Sequence, residues 1–193
     1  MARKAEINRK TKETEITALL LLDGGEVKIN TGIGFLDHML TALAVHGGFG
    51  LLLDAKGDLN VDGHHTAEDV GIVLGKAFGE ALGDKSGIMR YGSAFIPMDE
   101  SLGFCAVDIS GRPFLVLNAE FKNERVGEFD TCLVEEFMRA FAFNAGITLH
   151  LRAEYGANDH HKIEALFKAM AYALKQATRP NTEGVFVSTK GVL

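Results

Sequence analysis

The sequence has no tryptophan, only three prolines and three tyrosines, and two cysteines among its 193 residues. Cys105 and Cys132 lie too far apart in the chain to suggest a disulfide framework or a C-x-x-C redox motif, so a reducing, cytoplasmic setting is expected. Positive charge is scarce as well. Twenty Lys and Arg stand against 26 Asp and Glu, a formal net charge of -6, which leaves no basic footprint for nucleic acid. The opening MARKAEINRKTKE carries no apolar core of a signal peptide. The aliphatic run that follows it, Ala18 to Leu22, falls far short of the roughly 20 residues a membrane span needs. A soluble protein without a membrane or nucleic-acid partner is the expectation. What is abundant is apolar material, 47% of residues, enough for a core and far above the level of a disordered chain. Histidine also stands out, because four of the seven form the doublets His64-His65 and His160-His161.

Periodicity organises the chain. Glu15 to Leu22 and Glu26 to Thr31 read as two strands around the turn Asp23-Gly24-Gly25, a hairpin. Phe35 to His46 has apolar residues at helical spacing and stops at Gly47-Gly48. A strand is expected at Phe49 to Asp54 and a second helix at His64 to Leu82. Further strands are read at Ser93 to Pro97, Gly103 to Asp108, Phe114 to Phe121 and Ile147 to Ala153, with helices at Thr131 to Asn144 and His160 to Thr178.

The order repeats. Displacing the chain by 98 positions sets His38 on Glu136 and Gly48 on Gly146, and a displacement of 96 sets His64, His65 and Glu68 on His160, His161 and Glu164. One domain, 1–193, made of two similar halves at approximately 1–92 and 93–193, is therefore expected, in an α+β arrangement with helices packed between two mixed sheets.

The repeat also carries chemistry. His-His-x-x-Glu occurs twice, and on a helix residues three and four apart share a face, so either histidine of a doublet can meet its glutamate at a metal. Adjacent side chains diverge by about 100°, so the members of a doublet suit two different ions. Two doublets and two glutamates give six ligands, and the internal alignment nominates His38 and Glu136 as two more. Doubled histidines that merely open two solvated helices are the plain alternative, but two independent copies arise by chance in only about one of several thousand such sequences. Nitrogen and oxygen ligands without thiolate fit manganese, iron, nickel or zinc, and spacing does not choose among them. A second set is basic: Arg90, Arg112, Lys168 and Lys190, each near a turn or beside the proposed ligands, together match what a phosphate monoester requires. His46, at a helix end, reads as a cap on the last carbonyls, and His150, in an apolar strand, as a histidine that orients a ligand or packs in the core.

Together with these motifs, Gly34-Phe35-Leu36-Asp37-His38-Met39-Leu40, Asp108-Ile109-Ser110-Gly111-Arg112-Pro113, Gly146-Ile147-Thr148-Leu149-His150 and Ser188-Thr189-Lys190-Gly191 resemble the imidazoleglycerol-phosphate dehydratase family of histidine biosynthesis, over essentially the whole chain. The resemblance implies a duplicated α+β protomer of the kind found in the second domain of a small-subunit ribosomal protein. It also implies two manganese ions (Mn2+) per active site and a 24-subunit homo-oligomer whose sites are shared between neighbours. The implied reaction is dehydration of D-erythro-imidazole glycerol phosphate to imidazole acetol phosphate, by way of a metal-bound imidazolate and a diazafulvene intermediate. Carried over position by position, His38, His64, His65, Glu68, His160, His161 and Glu164 match metal ligands, and Arg90, Arg112, Lys168, Ser188 and Lys190 match phosphate contacts. Glu13 matches a glutamate facing the substrate, and Glu13, Glu68 and Glu164 are the candidate general acids and bases. Three positions depart from the pattern: Glu136 stands where many members have histidine, Ala42 where many have glutamine, and Thr189 where serine is common. A carboxylate at Glu136 still binds manganese. The same inventory would also serve a dimetal phosphatase or a non-catalytic metal store, although a cation store has no use for the basic set.

Overall fold

A computed structural model describes residues 3–181. The chain runs through strands Lys4–Lys10 (β1), Thr14–Leu21 (β2) and Val27–Asn30 (β3), helix Gly34–Gly47 (α1), strand Gly50–Gly57 (β4) and helix His64–Leu82 (α2). It then repeats that order with strands Tyr91–Met98 (β5), Ser101–Asp108 (β6) and Phe114–Asn118 (β7). A small hairpin, Arg125–Val126 (β8) and Phe129–Asp130 (β9), precedes helix Leu133–Ala145 (α3), strand Thr148–Tyr155 (β10) and helix Asp159–Ala177 (α4). The two four-stranded sheets have the same wiring, β1-β2-β4-β3 and β5-β6-β10-β7. In each, the last pair is parallel and the others antiparallel.

The expected hairpin between the second and third strands does not form. β4 lies between them, with Leu52 opposite Leu19 on the antiparallel side and opposite Lys28 on the parallel side. The reason is burial. Leu51, Leu53 and Ala55 make β4 an apolar strand suited to the sheet interior, whereas the charged, alternating β1 takes an edge and pairs with β2. A further difference concerns His150. Because Leu149 and Leu151 are wholly buried, the strand period of two turns His150 outward, and it is exposed rather than part of the core.

Helix ends follow the glycines: α1 stops at Gly48 (φ 72°) and α3 at Gly146 (φ 66°), both left-handed. The helices lie between the sheets. Sheet β1-β2-β4-β3 is covered by α1 and α2 and the other by α3 and α4, and contact across the middle pairs α1 with α4 and α2 with α3. The α2–α3 seam is backbone on backbone. A Cβ added at Gly75 would stand 2.6 Å from the Phe141 carbonyl oxygen, and one at Gly71 would stand 2.7 Å from that of Phe137. Gly75→Val is therefore expected to lower stability by about 1–3 kcal/mol through overpacking; thermal unfolding with a midpoint equal to that of the parent would refute so close a seam. Among the described residues no helix is long and apolar enough to cross a membrane.

Candidate functional site

The first turns of α2 and α4 carry the histidine doublets. At α4 the turn is started by Asn158, whose side chain accepts from the His160 amide at 2.9 Å. As adjacent residues on a helix must, the rings diverge: His160 and His161 have centroids 6.0 Å apart at 79°, and His64 and His65 have centroids 6.2 Å apart at 88°.

His160 turns toward a three-residue group. Glu164, one turn along α4 and buried, places Oε2 at 3.2 Å from His160 Nε2 and at 3.3 Å from Nε2 of His38 on α1. Its other oxygen accepts from Lys168 Nζ at 2.6 Å. Burial alone would raise the Glu164 pKa, but the Lys168 ammonium and the His38 ring outweigh it and hold the carboxylate below its ordinary value. The group is thus kept ionised, as a metal ligand must be. Ligand atoms of His38, His160 and Glu164 all lie within 4.8 Å of one another, and among the described residues this is the one group of three or more so arranged. Phe35 packs edge-on against the His160 ring at 5.0 Å and forms an apolar wall. Two imidazoles and a carboxylate fit manganese, iron, nickel or zinc.

The other members of the doublets face elsewhere. His65 directs Nδ1 at Asp58 (3.1 and 3.2 Å) and has Nε2 3.9 Å from the Glu13 carboxylate. His161 directs Nδ1 at Glu100 (2.7 Å) and has Nε2 3.6 Å from Asp99. Hydrogen bonds to Asp58 and to Glu100 raise the pKa of the respective rings. In the neutral ring the proton sits on Nδ1, which donates to the carboxylate, so the Nε2 lone pair is the one presented. His64, Glu68 and Glu136 are half-buried on α2 and α3. They occupy the places that correspond to His160, Glu164 and His38 in the repeat, without closing into a comparably tight group among the described residues.

The basic set divides. Arg90, buried and at φ 69°, grips Asp108 through Nε (2.7 Å) and a second nitrogen (3.2 Å), with its guanidinium over the Tyr91 ring at 4.7 Å. Arg112 reaches the same carboxylate at 3.5 Å, so the two arginines converge on Asp108. Lys168 stands apart, bound to Glu164 and 3.5 Å from Met98 Sδ. Ser188 and Lys190, like Thr189, lie outside the described residues. The last described segment runs beside Arg90, with the Arg90 amide donating to Ala177 O and the Asn181 amide to Gly87 O. His46, in the last turn of α1, packs against Tyr172 at 5.8 Å.

Sequence reasoning missed Asp58, Asp99 and Glu100. One signal was available: Asp99-Glu100 forms the turn of the β5–β6 hairpin, the counterpart of the turn that carries Glu13. Asp99, a non-glycine residue at φ 48°, holds a conformation that needs a reason.

Comparison with known proteins identifies the family. The family model described as imidazoleglycerol-phosphate dehydratase matches residues 31–174. The chain is 59% identical to the imidazoleglycerol-phosphate dehydratase of Acetivibrio thermocellus and 57% identical to that of Alkaliphilus metalliredigens, in both cases over all of both chains. Among solved structures, it is similar to imidazoleglycerol-phosphate dehydratase from Staphylococcus aureus (TM-score 0.84, 45% identity, 92% of this chain and 99% of that one). It is also similar to the enzyme from Pyrococcus furiosus (TM-score 0.85, 37% identity, 97% and 100%). The chain therefore belongs to the imidazoleglycerol-phosphate dehydratase family, hydro-lyases of histidine biosynthesis.

Proposed function

We propose that the protein is a manganese-dependent dehydratase that converts D-erythro-imidazole glycerol phosphate to imidazole acetol phosphate, with two ions per site. The observation that supports this most is the ionised Glu164 between His38 and His160. Those three residues hold one ion, and the repeat assigns His64, Glu68 and Glu136 to the second. His65 and His161, whose Nε2 atoms face away from their doublet partners, complete the ions of neighbouring subunits, in a homo-oligomer of 24 copies in which both halves of each chain take part. Bound there, the ions supply Lewis-acid charge that favours the deprotonated imidazole ring of the substrate.

The chain's own residues do the rest. Arg90 and Arg112, oriented together by Asp108, hold the phosphate, with Ser188 and Lys190 from the C-terminal segment. That clamp fixes the reacting carbons in register. Glu13 takes the proton from the carbon beside the departing hydroxyl, Glu68 and Glu164 being the other candidate acids and bases. Hydroxide leaves, water forms, and the enol product ketonises. Lys168 balances the charge of Glu164. Two free cysteines suit a reducing cytoplasm.

The deciding experiment is an assay with metal-stripped protein and imidazole glycerol phosphate, following both the keto product and inorganic phosphate. Keto product that returns only on addition of manganese is expected. Release of inorganic phosphate would instead identify a phosphatase, and turnover without metal would remove the metal from the reading.

A further inference from the structure

The β1–β2 and β5–β6 hairpins occupy equivalent places in the two halves but are fastened to their helices by different means. β5 and β6 lie bare against α4: a Cβ at Gly103 would stand 2.7 Å from the Ala165 carbonyl carbon, and one at Gly92 would strike the Ala173 carbonyl. Close packing holds that hairpin along α4, with polar bonds at its two ends, the Ser93 amide donating to Gln176 Oε1 at 3.2 Å and His161 Nδ1 to Glu100 at 2.7 Å. In the first half the position that matches Ala165 is Asp69, a carboxylate on α2 with only 9% of its side chain exposed. Asp69 Oδ1 pairs with an Arg9 nitrogen at 2.9 Å, from the last turn-ward residues of β1, and Oδ2 accepts from the hydroxyl of Thr14, the first residue of β2. Both legs of the hairpin are thus tied to one buried charge.

The bonds have a direction. A carboxylate only accepts, so the Thr14 hydroxyl gives its proton to Asp69. The Thr11 hydroxyl, 3.2 Å from Thr14 Oγ1, then donates to Thr14, and its lone pairs take the amides of Glu13 (3.1 Å) and Thr14 (2.9 Å). On the far side the Glu13 carbonyl accepts from the Asp58 amide at 3.1 Å, and Asp58 is the residue that orients His65. The arrangement is costly: Arg9 Nε is buried and lacks an acceptor among the described residues. The other hairpin is seated on α4 with Ala165 at the matching position, so a buried ion pair there is not required to hold two strands on a helix, and the clamp has a further purpose.

We infer that Asp69, with Thr14 and Arg9, is a positioning residue that holds the turn bearing Glu13 so that its carboxylate stands opposite His65 Nε2. This rests on the role given to Glu13 under the proposed function. The test compares Asp69→Asn, the isosteric Thr14→Val and the hydroxyl-retaining Thr14→Ser in the manganese-loaded oligomer, each alone and combined with Glu13→Gln. Asp69→Asn and Thr14→Val are expected to lower kcat about 10–100-fold, as loss of an orienting partner does, with KM and metal content unchanged and Thr14→Ser near the parent. In the Glu13→Gln background neither should lower kcat further. Amide exchange should accelerate at residues 11–14 and not at residues 98–101. An undiminished kcat, or the same fold-loss with and without Glu13, overturns the inference. Parental turnover in Glu13→Gln alone overturns it through its premise, whereas slow exchange at residues 11–14 in a variant with lowered kcat overturns the clamp itself, so the two failures are told apart.

Discussion

Glu164→Gln should lose about 10²–10⁴-fold in kcat, the range for removal of a group acting directly on the reaction, and should release bound manganese, read by elemental analysis of the purified oligomer. The argument rests on what Glu164 touches. One oxygen faces His38 and His160, the other Lys168. An amide keeps the shape but loses the charge, leaving the Lys168 ammonium, largely buried, without its counter-ion. Removing one partner of such a buried pair costs about 3 kcal/mol or more, so the metal-free variant should also melt at a lower temperature. The pH dependence has a definite sign. Because the carboxylate is held below its ordinary value in the folded protein, its contribution is complete above the unfolded pKa of about 4.3 and disappears as pH falls through the folded value. Parent and variant, both stripped of metal, should therefore differ in melting temperature near neutrality and converge in acid. A variant that keeps its manganese and its turnover would remove Glu164 from the site.

The second large effect concerns subunits. His160→Ala and His65→Ala should each be inactive alone, yet assemblies co-expressed from both should regain up to about a quarter of parental turnover. In a symmetric oligomer with shared sites, a site survives when one chain keeps His160 and its neighbour keeps His65, a coincidence of one in four for random mixing. The diverging rings motivate this: His160 joins His38 and Glu164, while His65 sits with Asp58 and Glu13. If every chain built its own site from its own residues, no mixture of the two variants could recover activity.

Much of this was legible in the residues because the relevant physics is local. The limits of α2 were read as His64 to Leu82, the limits observed, since apolar periodicity and Gly83 act within a few residues. The repeat was legible because side-chain identity at fixed spacing survives even when strand partners are unknown. Strand pairing was not legible: the Asp23-Gly24-Gly25 turn looks like a hairpin, and only the competition for the sheet interior, which β4 wins, decides otherwise. His150 was misplaced for a related cause, because an apolar strand shows its period of two only once one face is known to be covered. The partners of His65 and His161 come from a loop and a hairpin turn, seven and sixty-one positions away, and such contacts leave no periodic trace. Lys168, by contrast, follows Glu164 at i+4, a spacing that can be read directly.

The crossed pairing of helices bears on ancestry. The first helix of each half packs on the second helix of the other, α1 on α4 and α3 on α2. Under the repeat this is a single contact made twice, the signature of an isologous dimer. Neither half could assemble His38 with His160 and Glu164 from its own helices. A half-length ancestor would have met these requirements as a homodimer with two identical ligand sets. In a single chain each set is free to differ from the other, and Glu136 opposite His38, like Asp69 opposite Ala165, marks a place where the two halves differ.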